Sequence, residues 1–348
     1  MVRALEFYSG IGGLHCALMK SRVSASVIRA FDWDQNACRI YSRNYGEGIV
    51  HRVDISTLTA TNLGDLGADL WLLSPACQPY TVLNPNAKGA GDPRAKSFLH
   101  IVQTVLPELA PTQRPSHILV ENVAGFETSS TRQVLLTSLR ELGYSVREFL
   151  LTPLQFGIPN SRLRYYLLAR KEPWVGEVNG VVLREIPGRV AGEIKAVRDY
   201  LDDDGEGYAI PDRVLTKWGR LFDIVLPGDR KTCCFTSGYT HLVERAGSIL
   251  QMNEDLDVRP VPLETFFHPL ILGKTTKTFD EFLSTADLAI LRPLRLRYFT
   301  PDELLRIFDF DPLLFQWPDD VSRKTKYRLI GNSVNVRVVA ALIDHLFE

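Results

Sequence analysis

The chain has 348 residues, of which 45% are hydrophobic, and its 40 basic and 41 acidic side chains leave a formal net charge of −1. This length allows two domains with a sizeable core, and the balanced charge excludes a general polycation, so any nucleic-acid surface must be local. An odd number of cysteines without a CxxC pair, no signal peptide and no apolar run near the ~20 residues of a membrane span favour an intracellular protein, in the cytoplasm, the nucleus or both.

Strands and helices alternate through the first half of the chain. Two continuous apolar runs, 70–73 and 118–120, are typical of parallel strands covered on both faces. In chain order, the predicted elements are strand 5–8, helix 12–20, strand 27–31, helix 35–45, strand 70–73, helix 95–106, strand 118–120, helix 132–142 and strands 144–151 and 165–169. This alternation predicts an α/β fold with a doubly wound, mostly parallel sheet.

Past residue 171 the alternation stops, and 172–210 are rich in Gly, Pro and Asp. We predict one domain formed by 1–175 with 315–348, and a second, smaller domain formed by 176–314. The sequence indicates a helix after Thr300 and a last helix over 334–347. We expect the last helix to begin at the N-cap signal Gly331-Asn332-Ser333 and to pack its apolar face on the first domain.

A glycine-rich turn, Ser9-Gly10-Ile11-Gly12-Gly13, joins the first strand to the first helix. Glycines there allow a tight turn and close approach of the backbone to a ligand at the helix N-terminus. Asp32, at the end of the next strand, can accept both ribose hydroxyls of an adenosine. Asp54 can bond an adenine amine, but it fits a turn or N-cap equally well. The GxGG spacing favours S-adenosyl-L-methionine over a dinucleotide.

Cys77 follows the buried strand 70–73 on a loop stiffened by proline, and Glu121 ends the strand pattern at 118–120. A nucleophile and an acid at one edge of a sheet predict covalent catalysis. A thiolate that adds to carbon 6 of cytosine activates carbon 5, and an acid near N3 assists the addition. Burial should raise the pKa of Glu121 for this role. Taken singly, a core thiol and a loop-capping carboxylate fit as well.

Arg162 and Arg164 alternate where the segment 155–164 enters a predicted strand, so both should point to one face. Paired guanidiniums suit a phosphate or a pyrimidine carbonyl. Two solvated arginines at a strand start are the alternative. We expect the pair to hold the base or its phosphates.

These motifs together resemble the cytosine-5 methyltransferase family over the whole chain. The glycine turn is similar to its first motif, Pro75-Ala76-Cys77-Gln78 to its PCQ loop, Glu121-Asn122-Val123 to its ENV motif, 155–164 to its QxRxR segment and 328–334 to its closing GNS motif. The resemblance implies a Rossmann-like, S-adenosyl-L-methionine-dependent fold with a small target-recognition domain. The implied catalytic residues are Cys77, Glu121, Arg162 and Arg164. The implied cofactor contacts are Phe7, Ser9, Gly10, Ile11, Gly12, Gly13, Asp32, Trp33, Asp54, Ile55, Pro75, Asn332, Ser333 and Val334.

Cys234-Phe235-Thr236 resembles the signature of one small eukaryotic branch of that family, which is named as a DNA methyltransferase homologue but acts on tRNA. The resemblance implies a monomer that methylates cytosine 38 in the anticodon loop of the aspartate tRNA and releases S-adenosyl-L-homocysteine, without a metal or a membrane. The implied substrate contacts are Gln78, Asn122, Gln155, Cys234, Phe235, Thr236, Arg295 and Arg297.

DNA is the weaker alternative as a substrate. An anticodon loop presents bases that are already partly unstacked, whereas a duplex must first extrude its target base. The second domain is small for an enzyme that reads a DNA sequence. A third hypothesis, a catalytically weak nucleic-acid-binding homologue, rests on Ala76 and Val82, where the branch usually has proline and arginine. Basic residues that either line a phosphate-binding cleft or are surface charges are Lys88, Arg94, Lys96, Arg292, Arg295, Arg297, Arg323, Lys324, Lys326 and Arg328.

Overall fold

The computed structural model describes residues 1–78, 80, 89–174, 180–202, 205–241, 246–256 and 288–348. Val82, Lys88 and the predicted boundary between residues 175 and 176 lie outside this part of the chain, and the division into two domains stays a prediction. Among the described residues, no helix has both the length and the apolar content to cross a membrane.

The larger sheet has eight strands in the order β3-β2-β1-β4-β5-β7-β6-β8. Their bounds are β1 Val2–Phe7, β2 Ala25–Asp32, β3 Val50–Arg52, β4 Leu70–Leu73, β5 His117–Val123, β6 Ser145–Leu151, β7 Arg164–Arg170 and β8 Val182–Leu183. Strand β7 runs antiparallel to its neighbours β5 and β6, and the other pairs are parallel. The predicted doubly wound, mostly parallel sheet is confirmed.

The described helices cover both faces of this sheet and continue into the C-terminal part of the chain. They are α1 Gly13–Lys20, α2 Gln35–Tyr45, α3 Ala60–Gly64, α4 Lys96–His100, α5 Leu106–Glu108, α6 Ser130–Glu141, α7 Asp212–Trp218, α8 Leu288–Leu291, α9 Pro301–Ile307, α10 Arg323–Asn332 and α11 Val336–Leu346. A π-helical turn, Ile101–Val105, joins α4 to α5. The helix predicted over 95–106 is therefore continuous but changes its pitch.

Alternate residues of each central strand belong to two different hydrophobic clusters. In β4, Leu70 and Leu72 belong to one cluster, and Trp71 and Leu73 belong to the other. Every residue of this strand is buried. Burial on both faces explains why the strand reads as a continuous apolar run rather than as an alternating pattern.

The last helix, α11, packs against α1 in the same cluster as Ala4 of the sheet, as the sequence predicted. Its predicted N-cap was wrong, however. Gly331 and Asn332 end α10, and the Ser333 N–H donates to the Ile330 carbonyl, so this segment closes the earlier helix. The N-cap of α11 is Asn335, whose side chain accepts from the Val338 N–H.

A second sheet of three strands, β9 Ile224–Val225, β10 Ile249–Gln251 and β11 Leu296–Arg297, follows in the chain. Arg297 is 4% exposed, and its two terminal nitrogens lie 2.7 and 2.8 Å from the carboxylate oxygens of Glu303, which has no exposed surface. Arg297, which the sequence assigned to the substrate, thus forms a buried ion pair instead. Arg295 is exposed, and its backbone has φ 54°.

We predict that Arg297→Ala lowers the free energy of unfolding by about 3–5 kcal/mol, because it leaves the Glu303 carboxylate buried without its partner. Urea denaturation measures this change. Arg292→Ala is the matched control, since its ion pair with Asp212 is exposed and should leave the urea midpoint within error. An Arg297→Ala protein that unfolds normally but binds its substrate poorly would contradict the structural role.

Candidate active site

A cleft of about 1120 Å³ opens at the carboxyl ends of β1, β2, β4 and β5. The strand order reverses between β1 and β4: β2 and β3 lie on one side of β1, and β4 and the later strands lie on its other side. Such a reversal leaves a crevice between the loops, which is the usual ligand site of a doubly wound sheet. The glycine turn, the Cys77 loop, the segment 233–238 and the end of α10 line this cleft.

The glycine turn forms a cradle that a side chain would fill. Gly10 has φ +53°, and a Cβ added to Gly13 would lie 2.6 Å from Ser333 Oγ and 2.8 Å from a methyl carbon of Val334. The Ser9 hydroxyl is buried and has no hydrogen-bond partner among the described residues. The turn therefore offers a tight backbone surface and one unsatisfied hydroxyl to a ligand.

Asp32 is fixed at the cleft by two backbone donors. Its Oδ2 accepts from the Gly10 N–H and its Oδ1 from the Asp34 N–H, both at 2.8 Å. Burial raises the pKa of Asp32, and these hydrogen bonds oppose the rise. Trp33 beside it is 73% exposed. A positioned carboxyl group next to an exposed aromatic ring can hold a ribose and a flat heterocycle, respectively.

Ten of the fourteen residues assigned to a cofactor line the cleft: Ser9, Gly10, Ile11, Gly13, Asp32, Trp33, Pro75, Asn332, Ser333 and Val334. The other four are used elsewhere. Phe7 and Ile55 are buried in the core, and the Gly12 carbonyl accepts from the Tyr45 hydroxyl. Asp54 caps the 3₁₀ turn Ile55–Thr57, which is the turn role that the sequence left open.

Cys77 is held in the cleft by contacts of its own loop and of β5. The Asn122 amide donates to the Pro75 carbonyl at 3.2 Å, and the Tyr80 N–H donates to the Cys77 carbonyl at 3.0 Å. A Cβ on Gly125 would lie 2.7 Å from the Tyr80 carbonyl oxygen, so glycine permits this close approach. Asn122, which was assigned to the substrate, thus positions the thiol loop in this structure.

Glu121 lines the same cleft and is 8% exposed. Its Oε1 lies 3.5 Å from Arg164 Nε. Burial raises the pKa of Glu121, as the sequence predicted, although Arg164 and Arg162 partly offset the effect. Burial also raises the pKa of Cys77, against the same arginines. At neutral pH, Cys77 of the free protein is therefore mainly a thiol. Glu121 keeps its proton to a higher pH than an exposed carboxyl group does.

Arg162 is 3% exposed and bonds to backbone carbonyls on two other segments. Its Nη1 donates to the Phe235 carbonyl at 2.8 Å, and its Nη2 to those of Ser333 at 2.8 Å and Gly331 at 3.1 Å. The Phe308 ring lies 4.9 Å from its guanidinium carbon. The sequence predicted that Arg162 contacts a base or a phosphate. In the structure its terminal nitrogens are instead bonded to the backbone of two segments at the cleft.

Arg164 lies beside Glu121. Besides Glu121, it approaches the Cys234 sulfur with Nη2 at 3.6 Å. Arg162 Nη1 lies 3.4 Å from the same sulfur. The two guanidiniums therefore share one face, as their alternation in the sequence predicted.

Gln78, Cys234 and Thr236, out of eight residues assigned to the substrate, line the cleft. Phe235 is fully buried, and Gln155 bonds the Thr152 N–H and the Arg184 carbonyl. These residues, with Asn122, Arg295 and Arg297, do not face the cleft.

Tyr8 and Asp34 are among the residues of the cleft wall that sequence reasoning missed. Tyr8 follows the first strand directly and donates to Ser97 Oγ, so its place before the glycine turn was a usable signal. Asp34 pairs with Arg328 at 2.7 Å across 294 residues of sequence, and no local pattern indicates that contact. The described residues contain no group of His, Cys, Asp or Glu side chains placed to hold a metal ion.

Comparisons with known proteins agree with this geometry. The profile of the family described as C-5 cytosine-specific DNA methylase matches residues 2–348. A Schizosaccharomyces pombe protein named tRNA (cytosine(38)-C(5))-methyltransferase is 41% identical over 352 residues, covering 100% of this chain and 97% of its own. The crystal structure of the S. pombe Dnmt2 methyltransferase gives a TM-score of 0.78 at 39% identity, covering 99% and 98%. A Dictyostelium discoideum protein named DNA (cytosine-5)-methyltransferase is 32% identical over 390 residues, covering 99% and 94%.

We predict that Arg162→Lys destabilises the protein, because one ammonium group cannot replace contacts to three carbonyls. The expected loss is about 1.5–3 kcal/mol for each charged hydrogen bond that disappears, measured by urea denaturation. Arg328→Lys is the control, since a lysine in the half-exposed ion pair with Asp34 should cost less than about 1 kcal/mol. Equal stability of the two variants would show that Arg162 is not a clamp.

Proposed function

The chain belongs to the C-5 cytosine-specific DNA methylase family. Within that family, we propose that it is a tRNA methyltransferase that methylates carbon 5 of cytosine 38, with the aspartate tRNA as its substrate. One observation carries the chemistry: a single cleft contains Cys77, Glu121 and Arg164 beside the glycine turn and Asp32. The choice of tRNA rests on the S. pombe relative, which is similar over nearly its whole length.

S-adenosyl-L-methionine fits the residues that face the glycine turn. The unsatisfied Ser9 hydroxyl, the Asp32 carboxyl group and the exposed Trp33 ring suit its polar, ribose and adenine parts. Asn332 and Ser333 close the same end of the cleft. When bound, this group supplies the methyl group that carbon 5 of the cytosine takes up.

The protein's own residues make the cytosine reactive. The Cys77 thiolate forms a bond to carbon 6, and Glu121 donates a proton at N3, so the ring gains electron density at carbon 5 without becoming an anion. After methylation, carbon 5 loses its proton to water, and the electron pair of that C–H bond forms the double bond to carbon 6. The bond to Cys77 Sγ then breaks, the thiolate leaves, and N3 returns its proton to the Glu121 carboxylate. Arg164 lies beside Glu121 and stabilises its carboxylate once the proton has been donated.

A DNA cytosine-C5 methyltransferase is the second candidate, which the name of the D. discoideum relative favours. The chemistry would be the same. The energetic difference lies in the target, because a base in a duplex must be unstacked and unpaired first, whereas an anticodon loop is already open.

We expect the purified protein to transfer label from S-adenosyl-L-methionine to total tRNA and to an aspartate tRNA transcript. A transcript with uridine in place of cytosine 38 is the control and should receive no label. Label on duplex DNA alone would replace the first candidate by the second. Binding without label on any substrate would support a silent homologue, a hypothesis that rests on Ala76, which lines the cleft where the branch usually has proline.

Cys77 itself can be tested with S-adenosyl-L-methionine and RNA that contains 5-fluorocytidine at position 38, because after methyl transfer carbon 5 carries fluorine instead of a proton and cannot release the thiol. We predict a denaturant-resistant adduct on Cys77, mapped by mass spectrometry. Cys77→Ser should abolish turnover and the adduct but keep cofactor affinity within about tenfold, because the thiol serves chemistry rather than binding. An adduct on another residue would remove Cys77 from the mechanism.

The pH dependence follows from the two raised pKa values. The active form needs the Cys77 thiolate and the protonated Glu121. Between the two pKa values, a rise in pH increases the fraction of thiolate by the same factor by which it decreases the fraction of protonated Glu121. We therefore predict that kcat/KM is flat between the pKa of Glu121 and that of Cys77, and falls on either side.

Glu121→Gln removes the acid and should lower kcat/KM by about 10²–10⁴-fold. In this variant the rate should rise about tenfold per pH unit up to the pKa of Cys77, because only the thiolate still titrates. A flat profile in the variant would show that Glu121 is not the acid.

A further inference from the structure

Cys234 places a second thiol in the wall of the cleft, between the buried guanidinium of Arg162 and the partly buried guanidinium of Arg164. Its sulfur lies 3.4 Å from Arg162 Nη1 and 3.6 Å from Arg164 Nη2. Its side chain is half-buried and lines the same cleft as Cys77. A small molecule that enters the cleft can therefore reach this sulfur.

The charges around Cys234 favour an anion. Arg162 is a buried cation and Arg164 a partly buried one, and the carboxyl group beside them, Glu121, has a raised pKa. Arg162 Nε is buried and has no hydrogen-bond partner among the described residues. This wall of the cleft thus carries more positive charge than its carboxyl group neutralises, and a thiolate or an oxidised sulfur at Cys234 would balance it.

The other cysteines lie in different surroundings, and the structure describes all five. Burial raises the pKa of Cys16, Cys38, Cys77 and Cys233. For Cys234 burial acts in the same direction, but Arg162 and Arg164 together outweigh it and lower the pKa. Cys233 is a natural control, because it adjoins Cys234 and lines the same cleft, whereas burial and Asp223 raise its pKa to about 12.

We propose that Cys234, and not the nucleophile Cys77, is the site at which peroxides and small electrophiles modify the substrate-free protein. With a peroxide, the Cys234 thiolate attacks one oxygen, so that an S–O bond forms and the O–O bond breaks. The sulfur loses two electrons, and the leaving hydroxide or alkoxide receives them and takes a proton from water. The product is a sulfenic acid in contact with Arg162 and Arg164.

A consequence for activity rests on the proposed function. An oxygen atom on the Cys234 sulfur extends toward Arg164, which also contacts Glu121. Oxidation should therefore disturb the acid and stop methyl transfer while the fold stays intact.

Modification can be mapped on the wild-type protein without any activity assay. The protein is treated with limiting iodoacetamide near pH 7, quenched at intervals and digested, and the label on each cysteine is measured by mass spectrometry. We expect Cys234 to react at least about tenfold faster than Cys77 and Cys233, since the thiolate is the reactive form. Equal rates at Cys233 and Cys234, or faster labelling of Cys77, would overturn the proposal. Arg164→Gln should slow labelling of Cys234 and leave Cys16 unchanged.

Inactivation by hydrogen peroxide tests the consequence separately. Each variant is compared with its own untreated activity, so a lower starting rate of Cys234→Ser does not matter. We expect Cys234→Ser to lose activity to peroxide at least about fivefold more slowly than wild type, and Cys233→Ser to lose it at the wild-type rate. Equal inactivation of all three proteins would overturn the consequence. A wild-type protein without activity on any nucleic acid would refute the proposed function and leave the labelling result standing.

Discussion

The cleft depends on the buried guanidinium of Arg162. A cation removed from water is costly unless hydrogen bonds compensate for the lost water, and the two terminal nitrogens of this one donate to the Phe235, Gly331 and Ser333 carbonyls. These carbonyls belong to a loop near the second sheet and to the end of α10, which are far from Arg162 in sequence. A Cβ on Gly331 would lie 2.2 Å from the Thr236 backbone, so the two segments touch directly. The wall that faces Cys77 therefore has one defined geometry.

The antiparallel strand β7 explains why the arginines reach the acid. Loops at the carboxyl end of a parallel sheet come from strand ends, and a parallel strand would place its first residues at the opposite edge. Because β7 runs the other way, its start lies beside the end of β5, and Arg164 pairs in register with Val123. Arg164 thereby comes within 3.5 Å of Glu121.

The same two arginines act differently on the two thiols of the cleft. At Cys77 burial outweighs them, and the pKa rises. At Cys234 their N–H groups contact the sulfur, and the pKa falls. The attraction between a guanidinium and a thiolate decreases with distance and with the polarity of the surroundings. Direct contact with the arginines therefore decides whether the pKa of the thiol rises or falls. In the free protein, the two arginines therefore favour the thiolate at Cys234, whereas burial favours the thiol at Cys77.

The sequence alone determined the features that depend on residue type and short spacing. Continuous apolar runs identified the central strands, the glycine turn and Asp32 indicated a nucleoside site, and the raised pKa of Glu121 followed from its place at the end of a buried strand. The tertiary structure alone decided which charged side chains are buried and which groups they bond there. Arg162 bonds Ser333 across 171 residues, and Arg297 bonds Glu303 inside the core although its motif suggested a substrate contact. A motif indicates which groups a side chain can bind. Which group the side chain does bind depends on the donors and acceptors that the fold buries beside it, because a buried charge must be paired.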